Sequence, residues 1–137
     1  MIAVEVQHYL GRARDFLEGM KFLKDDLDAF RFSSALLGIH CAMSYCDALR
    51  IGLGSTKVSS DDHRTAAEDL RKQLADDRRC GNLRGVDHLR DILSKKSRIA
   101  YAPDAMREHN FEVILQHTER FVVWAEETGK KLRIEGW

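Results

Sequence analysis

The residues best suited to do chemistry lie between Lys95 and Pro103, in the order Lys-Lys-Ser-Arg-Ile-Ala-Tyr-Ala-Pro. Lys95, Lys96 and Arg98 place three positive charges within four residues, and the aromatic Tyr101 follows. Pro103 is the only proline in the chain, and it disrupts a helix because it lacks a backbone N–H. Cations beside an aromatic ring can hold phosphates and stack bases. We therefore expect a binding site in this stretch.

The basic character begins upstream of this stretch. Between residues 78 and 98 there are seven basic side chains and two acidic ones, which gives a net charge of +5. The basic residues are Arg78, Arg79, Arg84, Arg90, Lys95, Lys96 and Arg98. Such a segment can bind phosphates, or it can be an ordinary solvated helix face. The predicted nucleic-acid or nucleotide-binding residues are Arg90, Lys95, Lys96, Arg98 and Tyr101.

Lys96 is the most unusual single position of this segment. It follows Val86, Leu89 and Leu93 at the spacing of an apolar helical stripe, where an apolar residue is expected. A buried, unpaired ammonium is costly, so Lys96 should meet a carboxylate, line a polar cleft or extend its amine to water. Alternatively, Lys96 lies in a fraying last turn and complements the helix dipole.

The bulk composition limits the classes of function. Lys plus Arg and Asp plus Glu number 22 each, so any electrostatic site must be local. The three cysteines lack CxxC spacing, which indicates reduced core thiols in a cytoplasmic protein. His40, in an apolar segment, is expected to be a hydrogen-bonded core residue. We find no motif for a metal or a cofactor, and expect neither.

The apolar spacing predicts an all-α protein, an antiparallel up-and-down bundle of four long helices plus a shorter helix. The predicted helices run from about 3 to 26, 30 to 53, 60 to 79, 83 to 100 and 109 to 128. They form a single domain over residues 1–137, with a core at about 3–128. The segment from Ala35 to Cys46 is apolar on nearly every side, so it should be the central helix. The residues that end at Trp137 should fray or pack on a neighbour.

Three motifs in this order resemble the HEPN (higher eukaryotes and prokaryotes nucleotide-binding) domain family over about residues 10–127. The first is the small-residue-rich segment 34–49, which is followed by Gly52 and Gly54. The second, Ser60-Asp61-Asp62-His63, is similar to the Ser/Thr-His that opens the next helix in many members. The third, Lys96-Ser97-Arg98-Ile99-Ala100-Tyr101, looks like the Arg-rich helix end often written R-x-R-A-D-Y.

The resemblance implies a bundle of four or five helices, frequent homodimers and roles around RNA. Members act as ribonuclease toxins of toxin–antitoxin pairs or as partners of minimal nucleotidyltransferases. The ribonuclease members use an Arg and a His separated by four to six residues. Here the nearest pair, Arg84 and His88, is separated by three residues. Lys96 stands in the place of the family's first Arg, and no His directly follows Tyr101.

We therefore expect a HEPN-like helical module that binds RNA, a nucleotide or a nucleotidyltransferase partner, without strong catalysis of its own. One alternative is a divergent metal-independent ribonuclease, for which the candidate catalytic residues are Lys96, Arg98, Tyr101 and His63. The other alternative is a structural dimerisation module with an incidental basic face. Whether the protein is an enzyme stays open at this point. A homodimer is expected, with the apolar second helix and Trp124 as candidate surfaces.

Overall fold

The computed structural model describes residues 1–56, 58, 63–96, 99 and 108–137, and no β-strand occurs among them. The α-helices are α1 (Ile2–Leu23), α2 (Leu27–Gly52), α3 (His63–Ala75), α4 (Arg84–Ser94) and α5 (Glu108–Lys131). A short 3-10 helix, Lys24–Asp26, joins α1 to α2. The prediction of an all-α protein is confirmed. The predicted binding residues Arg98 and Tyr101, and the motif at residues 60–62, lie outside the described residues.

The helices differ in length more than the sequence pattern indicates. α1, α2 and α5 have 22, 26 and 24 residues, whereas α3 has 13 and α4 has 11. The predicted fourth helix extends to about residue 100, but α4 ends at Ser94. The Ser94 hydroxyl donates to the carbonyl of Asp91 at 2.7 Å, a local bond that competes with helix continuation. Lys95 caps α4, and Lys96 and Ile99 again have helical backbone.

α2 is the central helix, as its apolar pattern predicts. It packs against both α1 and α5, and every residue from Cys41 to Ile51 is buried. A Cβ atom at Gly38 would lie 3.0 Å from Met20 of α1 and 3.1 Å from Thr118 of α5, so this small residue lets three helices approach closely. Cys41 and Cys46 are buried free thiols, whereas Cys80 is partly exposed and is not a core residue.

α4 is held against α5 by a glycine and a tryptophan. A Cβ atom at Gly85 would lie 2.0 Å from the Trp124 ring, so only glycine fits without movement. The Trp124 indole is buried, and its Nε1–H donates to the carbonyl of Asn82 at 2.9 Å. Trp124 is therefore part of the fold and is not exposed as a dimer surface.

The C-terminal residues close over the helix ends instead of fraying. Ile134 is buried and lies against Gly52, and Trp137 lies against Gly129 of α5. Gly136 has a φ of +89° and meets the backbone of Ala3, a conformation and an approach that both exclude a side chain. The segment 132–137 thus joins the C-terminus to the start of α1.

Candidate functional site

Lys95 and Lys96, at the end of α4, are directed toward different helices. Lys95 Nζ lies 3.5 Å from the carbonyl oxygen of Asp91, and its charge acts on His117 of α5. Lys96 acts instead on His40 of α2. Adjacent helical residues diverge by about 100°, which accounts for the split. The end of α4 therefore offers positive charge on two sides.

On the Lys96 side, basic and aromatic residues of α1 and α2 come together. Burial lowers the pKa of His40, and the positive charges of Lys96 and Arg12 lower it further. The His40 ring lies 5.7 Å from the Phe16 ring, measured between centroids. The Arg12 guanidinium lies 5.9 Å from the ring centroids of both Tyr9 and Phe16. We call Arg12, His40 and Lys96, with Tyr9 and Phe16, the cationic cluster.

The positive charge of the cationic cluster is not neutralised within the described part of the chain. No ion pair or hydrogen bond engages Arg12, His40 or Lys96 there, and no carboxylate contributes to the pKa of His40. The positive charges of Lys96 and Arg12 disfavour a charge on the half-buried His40. The cluster is therefore suited to receive an anion.

Arg90 has a different environment from Lys96. It forms ion pairs with Glu68 of α3 and, at 3.9 Å, with Asp87 of its own helix. Asp87 also accepts a hydrogen bond from Arg71 of α3 at 2.5 Å. Arg90 thus belongs to a network that joins α3 to α4, and it would have to leave two carboxylates to bind a phosphate.

The remaining predicted site residues are not brought to the cluster by the described contacts. His63 is the first residue of α3. His40 is half-buried and forms no hydrogen bond with the described residues, so it is not the hydrogen-bonded core histidine that the sequence predicts.

The residues that α1 contributes were not predicted from the sequence. Tyr9, Arg12 and Phe16 are spaced by three and four residues, which places them on one face of a helix. That spacing is the signal from which the α1 part of the cluster could have been found. It could not show that α2 and α4 approach the same face.

A second group of titratable side chains lies between α4 and α5. His88 Nδ1 and His117 Nδ1 are 3.3 Å apart, and their rings meet edge to face with centroids 5.0 Å apart. His117 Nδ1 also lies 3.5 Å from Asp91 Oδ2. Burial and the neighbouring His88 lower the pKa of His117, and Asp91 opposes this effect. These three residues form a polar contact between α4 and α5.

A third polar group joins α5 to α1, to α2 and to the C-terminal segment. We call Glu126, Arg14, Tyr45 and Trp137 the Glu126 cluster. The Glu126 carboxylate accepts from Arg14 at 3.0 and 3.1 Å, from the Tyr45 hydroxyl at 3.0 Å and from Trp137 Nε1 at 3.0 Å. Burial would raise the pKa of Glu126, but the hydrogen bonds from Arg14 and Tyr45 outweigh it and the pKa is lowered. Burial raises the pKa of Tyr45, and Glu126 raises it further.

Two negative findings complete the description of sites. In the residues that the structure describes, no group of three or more His, Cys, Asp and Glu side chains is arranged to hold a metal ion. None of the described helices has the length and apolar character of a membrane span.

Comparison with protein-family models, with curated proteins and with solved structures finds no match to this chain. The resemblance to the HEPN family therefore stays a prediction that rests on the three sequence motifs.

Proposed function

We propose that this protein is a cytoplasmic HEPN-like module, an antiparallel up-and-down bundle, that binds RNA or a nucleotide at the C-terminal end of α4. In this proposal it has no strong catalysis of its own. The observation that carries the proposal is the cationic cluster. Arg12, His40 and Lys96 come from three helices and converge without an ion pair within the described residues.

The basic residues near the end of α4 are of two electrostatic kinds, paired and unpaired within the described residues. Arg90 is already paired with carboxylates, so its charge is largely used within the fold. Lys96 and Arg12 have no such partner among the described residues, so their charges are available to an anion. Phosphate groups are the anions that basic protein surfaces most commonly neutralise in nucleic acids.

The aromatic residues favour a ligand that carries a base as well as a phosphate. Tyr9 and Phe16 are partly exposed beside Arg12, and His40 lies against Phe16. Unpaired bases stack on aromatic rings and on guanidinium planes. A nucleotide or a single-stranded RNA segment matches this combination better than an inorganic anion does.

One observation favours the ribonuclease alternative. Metal-independent RNA cleavage needs a group that takes the 2′-hydroxyl proton and a cation for the crowded phosphate. The sequence motif lacks the expected histidine, but His40 lies near Lys96 and its lowered pKa leaves it neutral and able to accept a proton. A divergent ribonuclease that uses His40 and Lys96 is therefore the second candidate function.

The proposed homodimer, or the contact with a nucleotidyltransferase partner, must use surfaces other than those expected from the sequence. The central part of α2 and Trp124 are both buried within the chain. Large apolar side chains that are exposed include Phe22, at 80%, and Val123, at 60%. Sedimentation equilibrium of the wild type and of Phe22→Ser would test whether the first of these supports a dimer.

The function is tested by binding to labelled tRNA in EDTA over a range of salt concentrations. We expect Lys96→Ala to weaken binding several-fold and to reduce the salt slope by about 1, as the loss of one phosphate contact does. Arg90→Ala is the matched control, since it also removes one positive charge, from the helix that precedes Lys96, but one that is already paired.

Three outcomes would contradict the proposal. Absence of RNA or nucleotide affinity at low ionic strength would favour the structural dimerisation module. Cleavage of the tRNA by the wild type, lost in His40→Ala, would establish the ribonuclease in place of the binding module. Equal losses in Lys96→Ala and Arg90→Ala would show that only net charge matters and that the cationic cluster is not the site.

A further inference from the structure

A cavity of about 370 Å³ lies between the end of α2 and the second half of α3, away from the cationic cluster. The residues that line it are Arg50, Leu53, Gly54, Ser55, Asp69, Lys72 and Gln73. Arg50 follows His40 by ten residues along α2, which corresponds to a rise of about 15 Å. The cavity is therefore separate from the site proposed for RNA.

Arg50 is a buried charged residue whose guanidinium is only partly paired. Its side chain is 4% exposed, and its Nη2 atom lies 3.5 Å from Asp69 Oδ2. Arg50 Nε is buried and forms no hydrogen bond within the described part of the chain. Leaving a buried donor without an acceptor is unfavourable, and native proteins seldom do so. Arg50 therefore lacks an acceptor that the described residues do not supply.

Two other arginines show what a complete partner for this group looks like. Nε and Nη2 form one edge of the guanidinium, which the two oxygens of a carboxylate or a phosphate can fill together. Arg14 presents this edge to Glu126, at 3.1 Å from Nε and 3.0 Å from Nη2. Arg79 presents it to Asp77, at 3.1 and 2.8 Å. In Arg50 the same edge meets one oxygen, at a longer distance.

The Asp69 carboxylate is shared between Arg50 and its own helix. The Thr65 hydroxyl donates to the same oxygen, Oδ2, at 3.3 Å. Thr65 and Asp69 are one helical turn apart, so this bond keeps the carboxylate close to α3. The Asp69 side chain is 38% exposed, and water can solvate it when it leaves Arg50. Asp69 is thus a partner that another oxyanion can displace.

The positive charge of the cavity comes from side chains. The backbone N–H groups of residues 53–55 already donate to carbonyl groups of α2, at 2.9 to 3.2 Å. Lys72 is exposed in the last turn of α3 and lines the same cavity as Arg50. These two cations and the single carboxylate of Asp69 give the wall a net charge of +1, from +2 and −1.

We propose that this cavity is an oxyanion site. The phosphate or carboxylate group of a small molecule displaces Asp69 and occupies the edge formed by Nε and Nη2 of Arg50, with Lys72 as the second cation. A volume of about 370 Å³ is typical of a small-molecule site. A neighbouring cavity of about 570 Å³ shares Leu53 and Gln73 with it, which leaves room for the rest of the ligand.

The displacement of Asp69 gives one test a definite sign. Asp69→Asn removes the negative charge that competes for Arg50, and the amide oxygen can still accept from Thr65. We expect oxyanion binding to tighten by up to about fivefold, the range for a partly exposed charge pair. A purely structural pair of Arg50 and Asp69 gives no such gain.

The test is a titration of the full chain with inorganic phosphate, and separately with acetate, at constant pH and ionic strength and without RNA. NMR of the arginine Nε–H groups reports on the site directly. We expect the Arg50 Nε–H resonance to shift and saturate, while that of Arg14, already bonded to Glu126, stays in place. Lys72→Ala should weaken binding by up to about fivefold. Lys130→Ala is the matched control, because it removes an exposed lysine from the end of α5.

The outcomes separate this site from RNA binding, because no RNA is present in the titration. A stronger response to phosphate supports a phosphorylated ligand, and a stronger response to acetate supports a carboxylic acid. A shift of Arg50 Nε–H that does not saturate, or that Arg14 matches, would overturn the proposal. So would equal affinities of the wild type and Asp69→Asn, or equal losses in Lys72→Ala and Lys130→Ala.

Discussion

The Glu126 cluster and the cationic cluster both include charged and aromatic residues of α1 and α2, but they differ in how far their charges are paired within the chain. The Glu126 carboxylate accepts four hydrogen bonds from three side chains. Lys96 and Arg12 form no hydrogen bond or ion pair with the described residues, although they lie close to His40. The first cluster is complete within the chain, and the second is not.

This difference separates the two roles that a partly buried polar group can have. A group whose partners are all present stabilises the fold, and its loss leaves donors without acceptors. A charged group that has no partner within the chain stays available to a ligand of opposite charge. We infer that changes in the Glu126 cluster should appear mainly in stability, and changes in the cationic cluster mainly in binding.

The largest loss of stability is expected from Glu126→Ala. The buried Tyr45 hydroxyl and the Trp137 indole N–H would lose their acceptor, whereas Arg14 is half exposed and can turn to water. We expect the free energy of unfolding to fall by about 2–4 kcal/mol in urea titrations. RNA affinity of the folded protein should be unchanged. The neighbouring exposed Glu127→Ala is the control, and an equal loss in both variants would contradict the assignment.

A smaller loss is expected at the contact that positions α4. In Gly85→Ala the new Cβ atom would meet the Trp124 ring, and we expect a loss of about 1–3 kcal/mol by thermal or urea unfolding. Gly11→Ala is the matched control, because no atom lies within 4 Å of its Cβ position and α1 gains helix propensity. That control should be stabilised by about 0.5–1 kcal/mol. Two equal losses would mean that packing on Trp124 is not the cause.

Acid should weaken the Glu126 cluster over a defined range. The folded-state pKa of Glu126 is lowered from its ordinary value of 4.5, so its contribution is fully present above that pH. The contribution is lost as the pH falls through the lowered pKa. The stability difference between wild type and Glu126→Gln should therefore shrink below pH 4.5, measured by urea unfolding at stepwise pH. A constant difference down to the lowest pH would contradict the carboxylate role.

The fold was predictable from the sequence where the residue pattern of a single helix decides its place in the structure. The apolar run from Ala35 to Cys46 predicts a central helix, and it is one, because a helix that is apolar on every side must be surrounded. The end of α4 was not predictable in the same way. Its periodicity continues to residue 100, but Ser94 bonds to the preceding turn and Lys95 ends the helix.

The candidate site was predictable only in part, for a physical reason. A sequence pattern shows which residues share one helix, as for Tyr9, Arg12 and Phe16, but not which helices meet. Arg90 and Lys96 are basic residues of the same segment, and the sequence does not distinguish their roles. They differ because Glu68 of α3 forms an ion pair with Arg90. The pairing of His88 with His117 joins positions 29 residues apart, and no local spacing indicates it.

The smallest effect is expected in the pH dependence of RNA binding. The lowered pKa of His40 in the free protein comes from burial and from Lys96 and Arg12. A bound phosphate would favour the charged imidazole, so binding should take up a proton and affinity should rise a few-fold as the pH falls below about 6.5. His40→Gln should flatten this dependence, measured by tRNA binding at constant salt, and His8→Gln should not. If His40→Gln keeps the wild-type dependence, the protons are taken up elsewhere, and the His88–His117 pair beside Lys95 becomes the next group to test.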